Sequence, residues 1–144
     1  MDTISAGPDW LRRDDVAEIA AEAIRYRDGK KYDLLAYCIM PNHVHMVVDV
    51  ERFAESLVRR DSVSPYILTE IIGSLRKYTA ARANRVLCRS GSSWQHESYD
   101  RVIRDGDELE RTLAYVLQNP VKAGLCQRSK DWKWSYLKSG LGAV

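Results

Sequence analysis

The stretch YDLLAYCIMPNHVHMVV, from Tyr32 to Val48, decides the fold of this chain. Tyr32 to Met40 is rich in aromatic and aliphatic residues, which suit a pleated strand. Pro41-Asn42 is a turn signal, and His43 to Val50 reads as a second strand, so the pair predicts an antiparallel hairpin. A strand sends side chains i and i+2 to the same face. His43 and His45 therefore point the same way, close enough to share one divalent metal ion. The chain has three histidines in all, which makes scatter a poor account of the pairing. The plainer alternative is a polar edge on a half-buried strand.

Outward from the hairpin, Asp14-Asp15 opens a helical pattern through Val16, Ile19, Ala20, Ala23 and Ile24, ending near Asp28-Gly29. Early acids suit the positive helix start, and glycine suits the stop. Glu51 to Ser62 is mostly charged and shows no clear element. Ser64-Pro65 reads as a helix N-cap, and apolar residues from Ile67 to Val86 keep helical spacing to about Leu87. Arg89 to Ser93 is a loop, Trp94 to Ser98 is irregular, and Tyr99 to Arg104 is a short strand. Asp105 to Gln118 is the last helix, with Leu109, Leu113, Val116 and Leu117 as its buried stripe. Asn119-Pro120 stops it, because proline disfavours helix geometry in the residue before it. Trp132, Trp134 and Tyr136 are expected to fold back on the core.

The order helix, strand, strand, helix, strand, helix suggests a split βαβ sandwich of the α+β class. At 144 residues the chain fits one domain, residues 1–144, with a sizeable core. The formal charge of +2 says little, but its distribution says more. From Gly73 to Ser92 the charged residues are Arg76, Lys77, Arg82, Arg85 and Arg89, with no acid among them. Such a one-signed stripe suggests a polyanion contact; the alternative is a solvated helix face. Cys38, Cys88 and Cys126 form no CxxC pair and no disulfide framework, as in a reduced, cytoplasmic protein. Neither a signal peptide nor an apolar run of membrane-spanning length is evident, so no membrane partner is expected.

A metal on His43 and His45 needs a further ligand. Tyr115 and Asn119 are four residues apart, one turn from each other on one helix face. If that face turns toward the histidines, Asn119 can offer its amide oxygen and Tyr115 its phenol. Imidazole, amide oxygen and water form a mixed set that suits Mg²⁺ or Mn²⁺ rather than a closed zinc site. A cation beside a tyrosine favours the phenolate and polarises a phosphate oxygen. Attack on a DNA phosphodiester would leave a covalent phosphotyrosine. Plainer roles stay open: Tyr115 as an interface tyrosine, Asn119 as a helix cap. The chain has eight tyrosines, and Tyr78 and Tyr99 compete as nucleophiles. His96 is a further ligand or proton carrier, or a plain loop residue.

These residues resemble the REP-associated tyrosine transposases and related single-tyrosine transposases of the HUH endonuclease superfamily. The resemblance runs from about Trp10 to Tyr136. It is carried by Tyr32 to Val48, SLRKYTAARAN (Ser74 to Asn84), WQHESYDRVIRDGDELERTLAYVLQNPVKAGL (Trp94 to Leu125) and DWKWSY (Asp131 to Tyr136). It implies a ferredoxin-like antiparallel sheet with helices on one face, binding single-stranded or hairpin DNA as a monomer or homodimer. It places the two HUH histidines on His43 and His45, the nucleophile on Tyr115 and the third metal ligand on Asn119. It also implies Mg²⁺ or Mn²⁺ as cofactor and a 5′-phosphotyrosine whose partner 3′-hydroxyl can attack in reverse. DNA contacts are expected from Arg76, Lys77, Arg82, Arg85, Arg89 and Lys122. Trp94 and Tyr99 are candidates for stacking on unpaired bases.

The chain departs from that family at its start. Members open with an apolar strand in mid-sheet, where Met1 to Asp9 offers only Thr3-Ile4-Ser5. The first strand is therefore expected to be missing or truncated, leaving costly unpaired backbone groups. A truncated start, a strand from a partner subunit, or closure of the remaining strands around the gap would each answer this. The leading reading is a metal-dependent DNA strand transferase. The alternatives are a non-catalytic hairpin-DNA-binding relative and an RNA-binding ferredoxin-like domain without metal.

Overall fold

The structure, a computed structural model, describes residues 10–50, 53, 64–88, 95–100 and 106–141. The hairpin forms as the sequence predicts. β1 (Asp33–Ile39) and β2 (His43–Asp49) pair antiparallel, with Cys38 opposite His45 and Ile39 opposite Val44. The Met40 N–H donates to the His43 carbonyl at 2.8 Å, closing the turn. A bulge between Leu34 and Ala36 shifts the register of β1.

The described helices do not share one face of the sheet. α1 (Asp14–Tyr26) and α2 (Ser64–Leu87) cover one side, where Val16, Ala20, Ile24 and Leu75 pack with Leu34, Ile39, Val44, Met46 and Val48. α3 (Gly106–Lys122) covers the other, where Leu109, Leu113 and Val116 pack with Leu35, Cys38, Met40 and Val47. The cause is visible in β1 itself. Leu-Leu-Ala-Tyr-Cys-Ile is apolar at successive positions, and such a strand has two faces to shield from water.

Nor is the sheet wholly antiparallel. Its order is β3-β2-β1-β4, with β3 (Gln95–Asp100) parallel to β2 and β4 (Ser135–Leu137) antiparallel to β1. In a ferredoxin-like sheet the strands equivalent to β2 and β3 flank the opening strand, each antiparallel to it. Bringing them together without it makes them parallel neighbours. Among the described residues, β2 thus has a backbone partner on each side, β1 and β3. Thr3-Ile4-Ser5 lies outside the described residues. β3 also begins earlier than the expected 99–104, and Val102 and Ile103 lie outside the described residues.

α3 runs past Gln118, with Pro120 inside its last turn. Proline lacks the N–H that would reach the Val116 carbonyl. The Asn119 side-chain amide substitutes, donating to the carbonyls of Val116 at 3.4 Å and Tyr115 at 3.1 Å. The helix ends at Lys122, and Gly124 just beyond it, with a φ of 77°, suits a left-handed cap. The tail folds back as expected. Trp132 Nε1–H donates to the Ile39 carbonyl at 3.0 Å, and Tyr136 stacks on Tyr37 with ring centres 5.6 Å apart.

Burial pushes the Cys38 thiol up to about 12, whereas Cys88 is exposed. A thiol-specific reagent at neutral pH is expected to label Cys88 rapidly and to spare Cys38 until the chain unfolds. Because the folded value is raised, unfolding releases the Cys38 proton in alkali. Stability should therefore fall as pH climbs above the ordinary thiol range. Mass mapping of the labelled cysteines, native against denatured, checks the protection.

Candidate functional site

Alternation along β2 sorts its side chains. Val44, Met46 and Val48 join the core under α1 and α2, so His43 and His45 emerge toward α3, as Val47 does. Both histidines are 1% exposed. Their Nε2 atoms stand 2.9 Å apart, with the rings nearly perpendicular at 86°. Two nitrogens each about 2.1 Å from a metal, at right angles, would be about 3 Å apart. The imidazole pair therefore fits a shared cation.

Asn42 completes the pair from behind. Its Oδ1 lies 2.7 Å from His43 Nδ1, which fits a donated Nδ1–H. That hydrogen bond leaves the Nε2 lone pair directed away from Asn42, toward His45. The sequence marked Asn42 only as a turn residue. Its position next to His43 was the one available signal. Asn42→Ala is expected to weaken divalent-metal affinity by about 10–100-fold with the fold intact. Calorimetric Mn²⁺ titration beside a thermal melt separates those effects.

α3 supplies the phenol. Tyr115 is half-buried, with its ring edge-to-face with His45 at 5.9 Å between centres. Lys122, two turns on, places its ammonium 5.3 Å from the Tyr115 ring centre. Asn119 is buried on the same helix. Since its amide nitrogen faces the helix carbonyls, its amide oxygen faces away from them. No group of three or more His, Cys, Asp and Glu side chains that could hold a metal occurs among the described residues. A cation on the histidine pair would thus draw its other ligands from amide oxygen, water or phosphate.

The described geometry gathers His43, His45, Tyr115 and Lys122, and sets Asn119 one turn from the phenol. It does not gather the basic stripe with them. Arg76, Lys77, Arg82 and Arg85 ride on α2, across the sheet from the imidazoles. Arg89 and Trp94 lie outside the described residues. Tyr78 is on α2 as well, away from the histidines. His96 holds the register position of Val44 rather than that of either histidine, and Tyr99 that of Val47.

With this geometry in view, one likeness stands out. The chain is similar to a Haemophilus influenzae protein named "Putative REP-associated tyrosine transposase". The two are 30% identical over 105 residues, which is 72% of this chain. The chain spans 58% of that relative's length. No family model matches the chain. No solved structure matches it. No helix among the described residues is long and apolar enough to cross a membrane.

Proposed function

We propose that this protein is a transposase-like DNA strand transferase that cuts and rejoins single-stranded or hairpin DNA through Tyr115. The observation that carries the reading is the contact of the Tyr115 ring with His45, whose Nε2 meets that of His43. The similarity to the transposase-named relative supports the same chemistry. His43, His45 and the Asn119 oxygen would hold Mg²⁺ or Mn²⁺. Such an ion, when bound, supplies a Lewis acid for a phosphate oxygen.

The chain's own residues do the rest. Tyr115 Oη attacks the phosphorus of a phosphodiester, forming the Oη–P bond as the P–O3′ bond breaks. The phenol gives up its proton and O3′ gains one, leaving a 5′-phosphotyrosine and a free 3′-hydroxyl. Attack by a 3′-hydroxyl on that phosphotyrosine restores a phosphodiester and returns the phenol. Lys122 stands where it can meet a non-bridging phosphate oxygen beside Tyr115. The test is a labelled hairpin oligonucleotide incubated with the protein and Mn²⁺. The expected product is a covalent protein–DNA adduct that EDTA prevents. Hairpin binding with no adduct in any divalent metal would instead favour a non-catalytic DNA-binding relative.

A further inference from the structure

Across the sheet from Tyr115, the last turn of α1 and the middle of α2 border a groove of about 490 Å³. Glu22, Ala23, Tyr26, Arg27, Tyr78 and Arg82 line it. Two tyrosines stand open there, Tyr26 at 66% exposure and Tyr78 at 41%. Cations already lie against both rings. The Arg27 and Arg82 guanidiniums are 5.2 and 5.6 Å from the Tyr78 centre, and the Lys30 ammonium is 4.2 Å from that of Tyr26. Arg27 also donates to the Ala23 carbonyl at 3.1 Å, and Arg82 to the Tyr78 hydroxyl.

We propose that this groove is a second nucleic-acid site, in which Tyr26 and Tyr78 stack on unpaired bases while Arg27, Lys30 and Arg82 hold the phosphates between them. The composition favours this occupant. Two lining cations, Arg27 and Arg82, face one acid, Glu22, and Lys30 stands against Tyr26 beside them, so the groove attracts a polyanion. An acidic peptide would satisfy the cations and leave both aromatic rings wet. A duplex would satisfy them too, but keeps its bases stacked out of reach. A single strand meets both demands, because every base has a flat face and every link a charge. The basic stripe on α2 thereby gains a partner from α1, which its sequence gave no sign of. The inference rests on the nucleic-acid part of the proposed function and is independent of the Tyr115 chemistry.

The test is anisotropy of labelled oligothymidylate of about 20 nucleotides, longer than a typical single-strand site. The Tyr26→Ala, Tyr78→Ala double variant is expected to lose about tenfold or more in affinity, with an unchanged thermal melt. Phenylalanine at both positions should restore binding, since stacking needs no hydroxyl. Arg27→Gln with Arg82→Gln should flatten the salt dependence instead. Wild-type affinity in the alanine variant would overturn the proposal. So would equal affinity for a duplex of that length, or displacement of the strand by polyglutamate as readily as by unlabelled oligothymidylate. A wild-type protein that forms no adduct would defeat strand transfer and leave the anisotropy result to decide the groove.

Discussion

Tyr115→Phe is expected to abolish the covalent protein–DNA adduct while leaving hairpin affinity within about twofold of wild type. The substitution removes one oxygen and keeps the ring, so the packing against His45 and the approach of Lys122 survive. Only the atom that would bond to phosphorus is lost. The residual rate should therefore sit at background, a loss of at least about a thousandfold, because the variant ring carries no oxygen to form the covalent link. Tyr78 lies across the sheet and cannot substitute from there. Gel separation of the labelled adduct measures the effect. An adduct of wild-type yield from Tyr115→Phe would move the nucleophile elsewhere and end the case for this helix.

The second large effect is expected from the imidazoles. His45→Ala should lower Mn²⁺ affinity by more than the roughly 10–100-fold assigned to an outer partner such as Asn42, because a direct donor is lost. Adduct formation should fall with it and recover only partly at high metal concentration. His45 is buried, so its loss also leaves a small cavity with a stability cost. His45→Gln is the safer companion, since it keeps volume and a polar atom. Mn²⁺ titration of both variants, beside melts without metal, separates donor loss from packing loss. Undiminished Mn²⁺ affinity in both would mean that the paired rings are a structural contact.

Much of this arrangement was readable from local pattern. Pro41-Asn42 between two apolar runs specified the hairpin, and the two-residue spacing of His43 and His45 specified a shared face. The four-residue spacing of Tyr115 and Asn119 specified a shared helix side. What pattern could not supply was the partner of each face. That α3 meets the histidines depends on which side of the sheet each helix takes, a long-range choice with no local signature. The apolar run in β1 held the clue that both sides would be covered, yet a family likeness pointed to one. Pro120 misled in a similar way. As a helix breaker it ended α3 at Gln118, but the Asn119 side chain supplies the missing donor to Val116. The polar composition of Gln95–Asp100 concealed β3, whose pairing depends on backbone groups left open by a neighbour.

The strict alternation of β2 ties folding to chemistry. Sliding that strand by one residue would drive two imidazoles into the oily layer beneath α1 and α2 and swing Val44 and Met46 toward the phenol. The hydrophobic penalty of that slip resists loss of the imidazole alignment. Damage to the Val44 or Met46 side of the strand should thus silence a site those residues never touch.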